Sequence, residues 1–123
     1  MKNLLLVFIG GGLGSVLRFL IGKYLNNLDT SIPYGTFAAN VMGSLLIGFF
    51  LGLATKNNAF SQQHSLLLAT GFCGGFTTFS TFAHENHVFL KSGDFLTFAI
   101  YTTMSFIVGL CAVFLGIFLA KNF

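Results

Sequence analysis

The sequence predicts an all-α integral membrane protein of four transmembrane helices, the third of them broken. Three observations lead there. Of its 123 residues, 54% are hydrophobic and 7% charged, with a mean hydropathy of +0.84, which is the composition of a chain that lives in lipid. Four stretches, about 4–22, 33–54, 64–90 and 95–120, supply the roughly 20 apolar residues that a span requires. The third stretch carries Gly71-Phe72-Cys73-Gly74-Gly75-Phe76-Thr77-Thr78-Phe79-Ser80-Thr81-Phe82 in its middle, a run that a plain lipid-facing helix has no use for.

The first span follows Met1-Lys2-Asn3 and lacks a small-residue cleavage site, so it is expected to stay as a helix rather than leave as a signal peptide. Arg18 lies late in this span. A cation there costs about 2.5–3.5 kcal/mol at the bilayer centre and much less near an interface, where it snorkels or lines a vestibule that attracts anions. The second span begins at Pro33, a residue tolerated at a helix start, and holds Asn40 at mid-depth. An amide so placed must find partners, either on another helix or along a polar path.

In the third span Gly74 and Gly75 each weaken the helix by about 1 kcal/mol relative to alanine, and hydroxyl and aromatic residues follow, so the backbone is expected to unwind. Freed N–H and C=O groups cost several kcal/mol each in hydrocarbon. Breaks therefore survive where they face protein, a cavity or a bound ion. Phe79 and Phe82 are three apart and on a helix share a face, with Ser80 and Thr81 turned away from it. Seventeen phenylalanines make packing the ordinary role, yet positive ring edges opposite hydroxyls or an amide also suit a dehydrated anion. In the fourth span, Asp94 suits the helix start and Lys121 its end, while Tyr101, Thr102 and Ser105 add hydroxyls.

Small residues recur at four-residue spacing: Gly10 and Gly14, Ala39 and Gly43, Gly48 and Gly52, Gly71 and Gly75, then Ala112, Gly116 and Ala120. Such faces let helices approach closely in lipid and leave four helices little interior for a pathway, which favours an oligomer. Three cations (Lys2, Lys56, Lys121) fall on one side of the spans and three (Arg18, Lys23, Lys91) on the other, so the positive-inside rule selects no orientation. Chance in a charge-poor chain, or insertion both ways round with antiparallel pairing, explains the tie.

Other functions are poorly served. The six cations are scattered, against nucleic-acid binding. Cys73 and Cys111 read as small buried thiols rather than a disulfide. The three acids are Asp29, Glu85 and Asp94, at least two of them near loops or span ends, and no nucleophile or phosphate-loop spacing is present, so the chain is not expected to be an enzyme. In His84-Glu85-Asn86-His87 the histidines are three apart rather than four, which favours a polar cluster over a metal motif. A donor-lined track without acids suits an anion.

Gly10-Gly11-Gly12-Leu13-Gly14 with Arg18, Pro33-Tyr34-Gly35-Thr36 with Asn40 and Gly43, and Gly74 through Phe82 with Glu85 together resemble the Fluc/CrcB family of fluoride channels over essentially the whole chain. The resemblance implies a dual-topology antiparallel homodimer with two fluoride pores and a structural sodium ion at the two-fold interface, and no organic cofactor. It assigns the pore to Phe79, Phe82, Asn40, Ser80, Thr81, Tyr101 and Ser105, and the aqueous entrance to Arg18. The sodium ligands would be the backbone carbonyls of Gly74 and Thr77 from both subunits. The implied activity is passive export of cytoplasmic fluoride across the plasma membrane of a prokaryote, the inner membrane if Gram-negative, and hence fluoride resistance. The alternative is a four-helix proton-coupled multidrug exporter, but those need a membrane-embedded carboxylate, commonly in the first span, and none is there. An accessory protein that only assembles partners would need neither Asn40 nor the break.

Overall fold

A computed structural model of the chain describes residues 1–26, 32–56 and 60–122. Asp29 and parts of the first two connections lie outside them. Among the described residues the fold is entirely helical, and Lys2–Leu25, Tyr34–Lys56, Gln62–Ser92 and Phe95–Lys121 are each long and apolar enough to cross a membrane. The ends lie within two or three residues of the sequence expectation.

Helix α1 spans Lys2–Leu25 and α2 spans Tyr34–Lys56. The Pro33 carbonyl accepts the first bond of α2 from Phe37 N–H at 3.1 Å. The third span is composite. It begins as α3 (Gln62–Ser65), capped by the Ser61 side chain, widens into a π-helix over Leu66–Cys73, and closes with a short turn, α4 (Gly74–Phe76). Thr77 is extended, with φ −86° and ψ 158°, and helical backbone resumes in α5 (Ser80–Ser92). Gly93 ends α5 at φ +83°, a left-handed conformation that glycine adopts without strain. Asp94 then starts α6 (Phe95–Lys121), its carboxylate accepting from Thr97 N–H at 3.2 Å.

The small-residue pattern becomes two close helix pairs. Helix α1 packs on the π-helix and α4, while α2 packs on α6. A Cβ at Gly10 or Gly14 would overlap backbone of the π-helix, and one at Gly48 or Gly116 would overlap backbone of the facing helix in the α2–α6 pair. Helix α5 rests on α6 through Phe82, Phe89 and Tyr101, with Phe37 and Phe98 at the edge of that cluster. The outer surface is aliphatic and aromatic, with residues such as Phe8, Phe19, Phe114 and Phe118 well exposed, as a lipid-bathed surface requires.

Three sequence expectations change. Phe79 stands just ahead of α5 rather than on it. Cys73 is buried and free, but Cys111 is exposed on α6, because its neighbour Ala112 takes the inward position against α2. Gly74 and Gly75 stay helical in α4, and the backbone leaves the helix only at Thr77. Lys121 does lie in the last turn of α6, and there the Lys56 ammonium also donates to the Lys121 carbonyl at 2.9 Å, since α2 and α6 end side by side.

Candidate functional site

The site grows out of the non-helical step between α4 and α5. Thr77 turns extended, so the backbone of Thr78 is offered sideways to α2. Asn40 takes it at both groups: Asn40 Nδ2 donates to the Thr78 carbonyl at 3.1 Å, and Thr78 N–H donates to Asn40 Oδ1 at 2.8 Å. Asn40 is thus an interhelical partner and also lines a cavity.

That cavity, of about 310 Å³, is lined by Asn40, Ser44, Thr77, Thr78, Phe79, Phe82 and Ser105 among others, with no acid and no base. The Phe79 and Phe82 rings are 6.1 Å apart at 47°, the first 74% exposed and the second only 8%. Phe82 also meets Phe106 edge-on at 6.1 Å. The Ser105 hydroxyl is buried with no hydrogen-bond partner, as is that of Thr102. Leaving such a group unpaired costs about 1–3 kcal/mol, and no described residue offsets that cost at Ser105.

A second cavity of about 350 Å³ opens on the other side and is lined by Arg18, Lys23, Asn26, Thr36, Thr78 and Thr81 among others. Among the described residues its lining holds two cations and no carboxylate, a balance attractive to anions. Thr78 lines both cavities. Of the sequence candidates, then, Asn40, Phe79, Phe82 and Ser105 meet around the first cavity and Arg18 and Thr81 around the second. Gly74 and Thr77 also line the first, whereas Ser80 is exposed and lines neither.

Tyr101 lines neither cavity, and the reason went unread in the sequence. It is 2% exposed and donates its hydroxyl to Glu85 Oε1 at 2.7 Å, while Thr36 donates to Glu85 Oε2, also at 2.7 Å. The expected acid-free track therefore holds for the first cavity and not beyond Phe82, where the rings of Phe82 and Tyr101 pack 5.1 Å apart. Glu85 is the one described acid lying well inside a span, which was the available signal. Asn26 was missed as well. Its Oδ1 accepts from Gly35 N–H at 2.6 Å and Thr36 N–H at 3.3 Å, supplying the start of α2 with partners across the connection.

The backbone at the step explains how it is tolerated. In a continuous helix the Gly74 carbonyl would accept from residue 78 and the Thr77 carbonyl from residue 81. Both donors are diverted, Thr78 N–H to Asn40 and Thr81 N–H to Thr78 Oγ1 at 3.2 Å. Gly74 is exposed, and open space lies where its side chain would be. Two backbone carbonyls are thus left without their helical donors, and carbonyl oxygens are the kind of ligand a hard cation takes. No group of three or more His, Cys, Asp or Glu side chains that could hold a metal is found among the described residues.

Comparison with known proteins agrees in family and extent. The family model described as "CrcB-like protein, Camphor Resistance (CrcB)" matches residues 5–117. A relative from Gloeothece citriformis named fluoride-specific ion channel FluC is 49% identical over 123 residues, covering 99% of both chains. Relatives of the same name from Leptospira interrogans and Flavobacterium psychrophilum are each 44% identical over 123 residues, covering 99% of this chain and 97% and 99% of theirs. A model matched from residue 5 to residue 117, and relatives matched over 97% or more of their own length whose names denote channels rather than enzymes, leave one assignment: the chain belongs to the CrcB family.

Proposed function

We propose that this protein is a fluoride-selective channel that lets cytoplasmic fluoride leave a prokaryotic cell passively across the plasma membrane, and so confers fluoride resistance. The observation that carries the reading is the first cavity. It brings an amide, the buried unpartnered hydroxyl of Ser105 and a pair of phenylalanine rings together without a carboxylate. A small anion that sheds water needs donors on one side and positive ring edges on the other, and this lining offers both. The names of the full-length relatives point the same way. The exporter alternative is not favoured, since α1 holds no carboxylate to carry a proton.

The functional unit is an antiparallel homodimer, with subunits inserted in opposite directions and the broken third helices crossing at the two-fold axis. Three features support it: the even split of cations, the exposure of Phe79 beside a cavity it lines, and the open face of Gly74. A sodium ion at that axis would be held by the Gly74 and Thr77 carbonyls of both subunits. It supplies positive charge to backbone oxygens that otherwise face hydrocarbon. Within each subunit Phe79, Phe82, Asn40 and Ser105 contact fluoride, Ser80 and Thr81 continue the polar track, Tyr101 bounds it, and Arg18 marks the aqueous entrance.

Efflux from liposomes read with a fluoride electrode tests the proposal. Fluoride is expected to leave quickly and chloride scarcely at all. Equal fluxes would overturn the selectivity, and no flux of either ion would overturn the channel.

A further inference from the structure

We propose that Asn40 is the positioning residue of the interface cation site, holding the Thr78 peptide so that the Gly74 and Thr77 carbonyls stay free for the ion. This rests on the sodium reading above and adds to it a link between the pore amide and the cation. A primary amide is the one neutral side-chain group that matches a peptide at both ends, an acceptor for N–H and a donor for C=O on one plane. Asn40 uses both on Thr78, at 2.8 and 3.1 Å. The first bond removes the donor that would otherwise close on Gly74. The pair also fixes where the Thr78 hydroxyl stands, and that hydroxyl takes the Thr81 N–H at 3.2 Å, away from the Thr77 carbonyl.

The clamp is itself held. Asn40 sits inside α2, its carbonyl accepts from Ser44 at 2.7 Å, and one turn on, Gly43 leaves room for the Thr77 side chain to lie against α2. A side chain at 43 would overlap the Thr77 methyl group. A primary amide has two N–H groups, and one suffices for the Thr78 carbonyl. Asn40 therefore holds the backbone and still faces the cavity it lines. The Oδ1 bond that diverts Thr78 N–H is separate from the amide N–H groups, so Asn40→Asp retains the first while losing the second.

Asn40→Asp keeps an oxygen toward Thr78 N–H but loses the amide donor, whereas Asn40→Ala and Asn40→Ser reach Thr78 with neither. The test is the thermal midpoint of the purified dimer, titrated with sodium against a background of N-methylglucamine, beside fluoride efflux for each variant. Ligand that binds only the folded dimer raises its midpoint. Sodium is expected to stabilise the wild type, to stabilise Asn40→Asp with a half-saturating concentration within about threefold of wild type, and to act at least tenfold more weakly on Asn40→Ala and Asn40→Ser. Fluoride efflux is expected to fall in all three. Alanine and serine variants that respond to sodium like the wild type would overturn the clamp while leaving the sodium reading intact. A wild type indifferent to sodium would overturn both. If the two short variants fail to assemble, an Asn40→Asp dimer that has lost its sodium response still contradicts the proposal.

Discussion

Arg18 donates its Nε hydrogen to the carbonyl oxygen of Gly75 at 3.1 Å, joining positions 57 residues apart. Ser15, one turn earlier, reaches the same oxygen at 3.4 Å. Gly75 lies in the last turn before the helix stops at Phe76, where unpaired carbonyls carry the partial negative charge of a helix end. A guanidinium there offsets that charge and also lines the second cavity. Snorkelling, the simpler account of an arginine late in a span, is thus replaced by a fixed contact.

Arg18→Ala is accordingly expected to destabilise the protein by about 1.5–3 kcal/mol, the range for a hydrogen bond to a charged group. Arg18→Lys should recover only part, because an ammonium on a flexible stem cannot reproduce the side-on Nε geometry. Unfolding in detergent measures both. Unchanged stability in the alanine variant would return Arg18 to a purely electrostatic role.

Phe79 and Phe82 should behave unlike Phe72 and Phe76. The latter pair stack on each other 5.6 Å apart, and Phe76 is fully buried. Their exchange for leucine should cost of order 1 kcal/mol in packing and leave flux per folded dimer nearly intact. At Phe79 or Phe82 the same change removes the positive ring edge from the cavity wall. Fluoride efflux should then fall at least tenfold, equivalent to about 1.4 kcal/mol on the barrier. Four equal fluxes would reduce all four rings to packing.

For Tyr101 the hydrogen bond to Glu85 sets the expectation. Tyr101→Phe keeps the ring that packs on Phe82 and Phe89 but leaves one carboxylate oxygen without its donor. Stability should drop by about 1–3 kcal/mol. Fluoride flux per dimer should stay within about threefold of wild type. A collapse of flux at normal stability would show the hydroxyl serving the anion directly.

Topology is open to labelling. A reporter fused after Phe123 should appear on both faces of the membrane in one population of cells, because three cations flank each side of the spans. Exclusive cytoplasmic placement, with fluoride efflux intact, would contradict antiparallel pairing.

Much of this was legible beforehand because lipid restricts the choices. Composition dictated four helices and four-residue spacing of small side chains dictated where they touch, whereas Gly74-Gly75 stay helical and the backbone leaves the helix just after them, at Thr77. Asn40 was conspicuous as an amide in hydrocarbon. The partners were not legible. Nothing local ties Asn40 to Thr78, Glu85 to Tyr101 or Arg18 to Gly75, since each pair depends on how helices rotate against one another. Glu85 was passed over because a carboxylate is read from its neighbours in sequence, and its two donors stand 49 and 16 positions away.

The glycine-backed contacts also govern how such a chain can drift. At Gly14 and Gly116 an added methyl would run into a carbonyl of the opposing helix, which has no rotamer to swing aside, so the two helices would have to part along their length. At Gly12 the same methyl points into open space. A set of glycine-to-alanine variants scored by growth in fluoride should therefore fall into two groups with little between them. Leaving aside Gly93, where the left-handed backbone itself demands glycine, tolerance at the glycines would trace the seams of the bundle, so that heredity itself keeps a record of which helices touch.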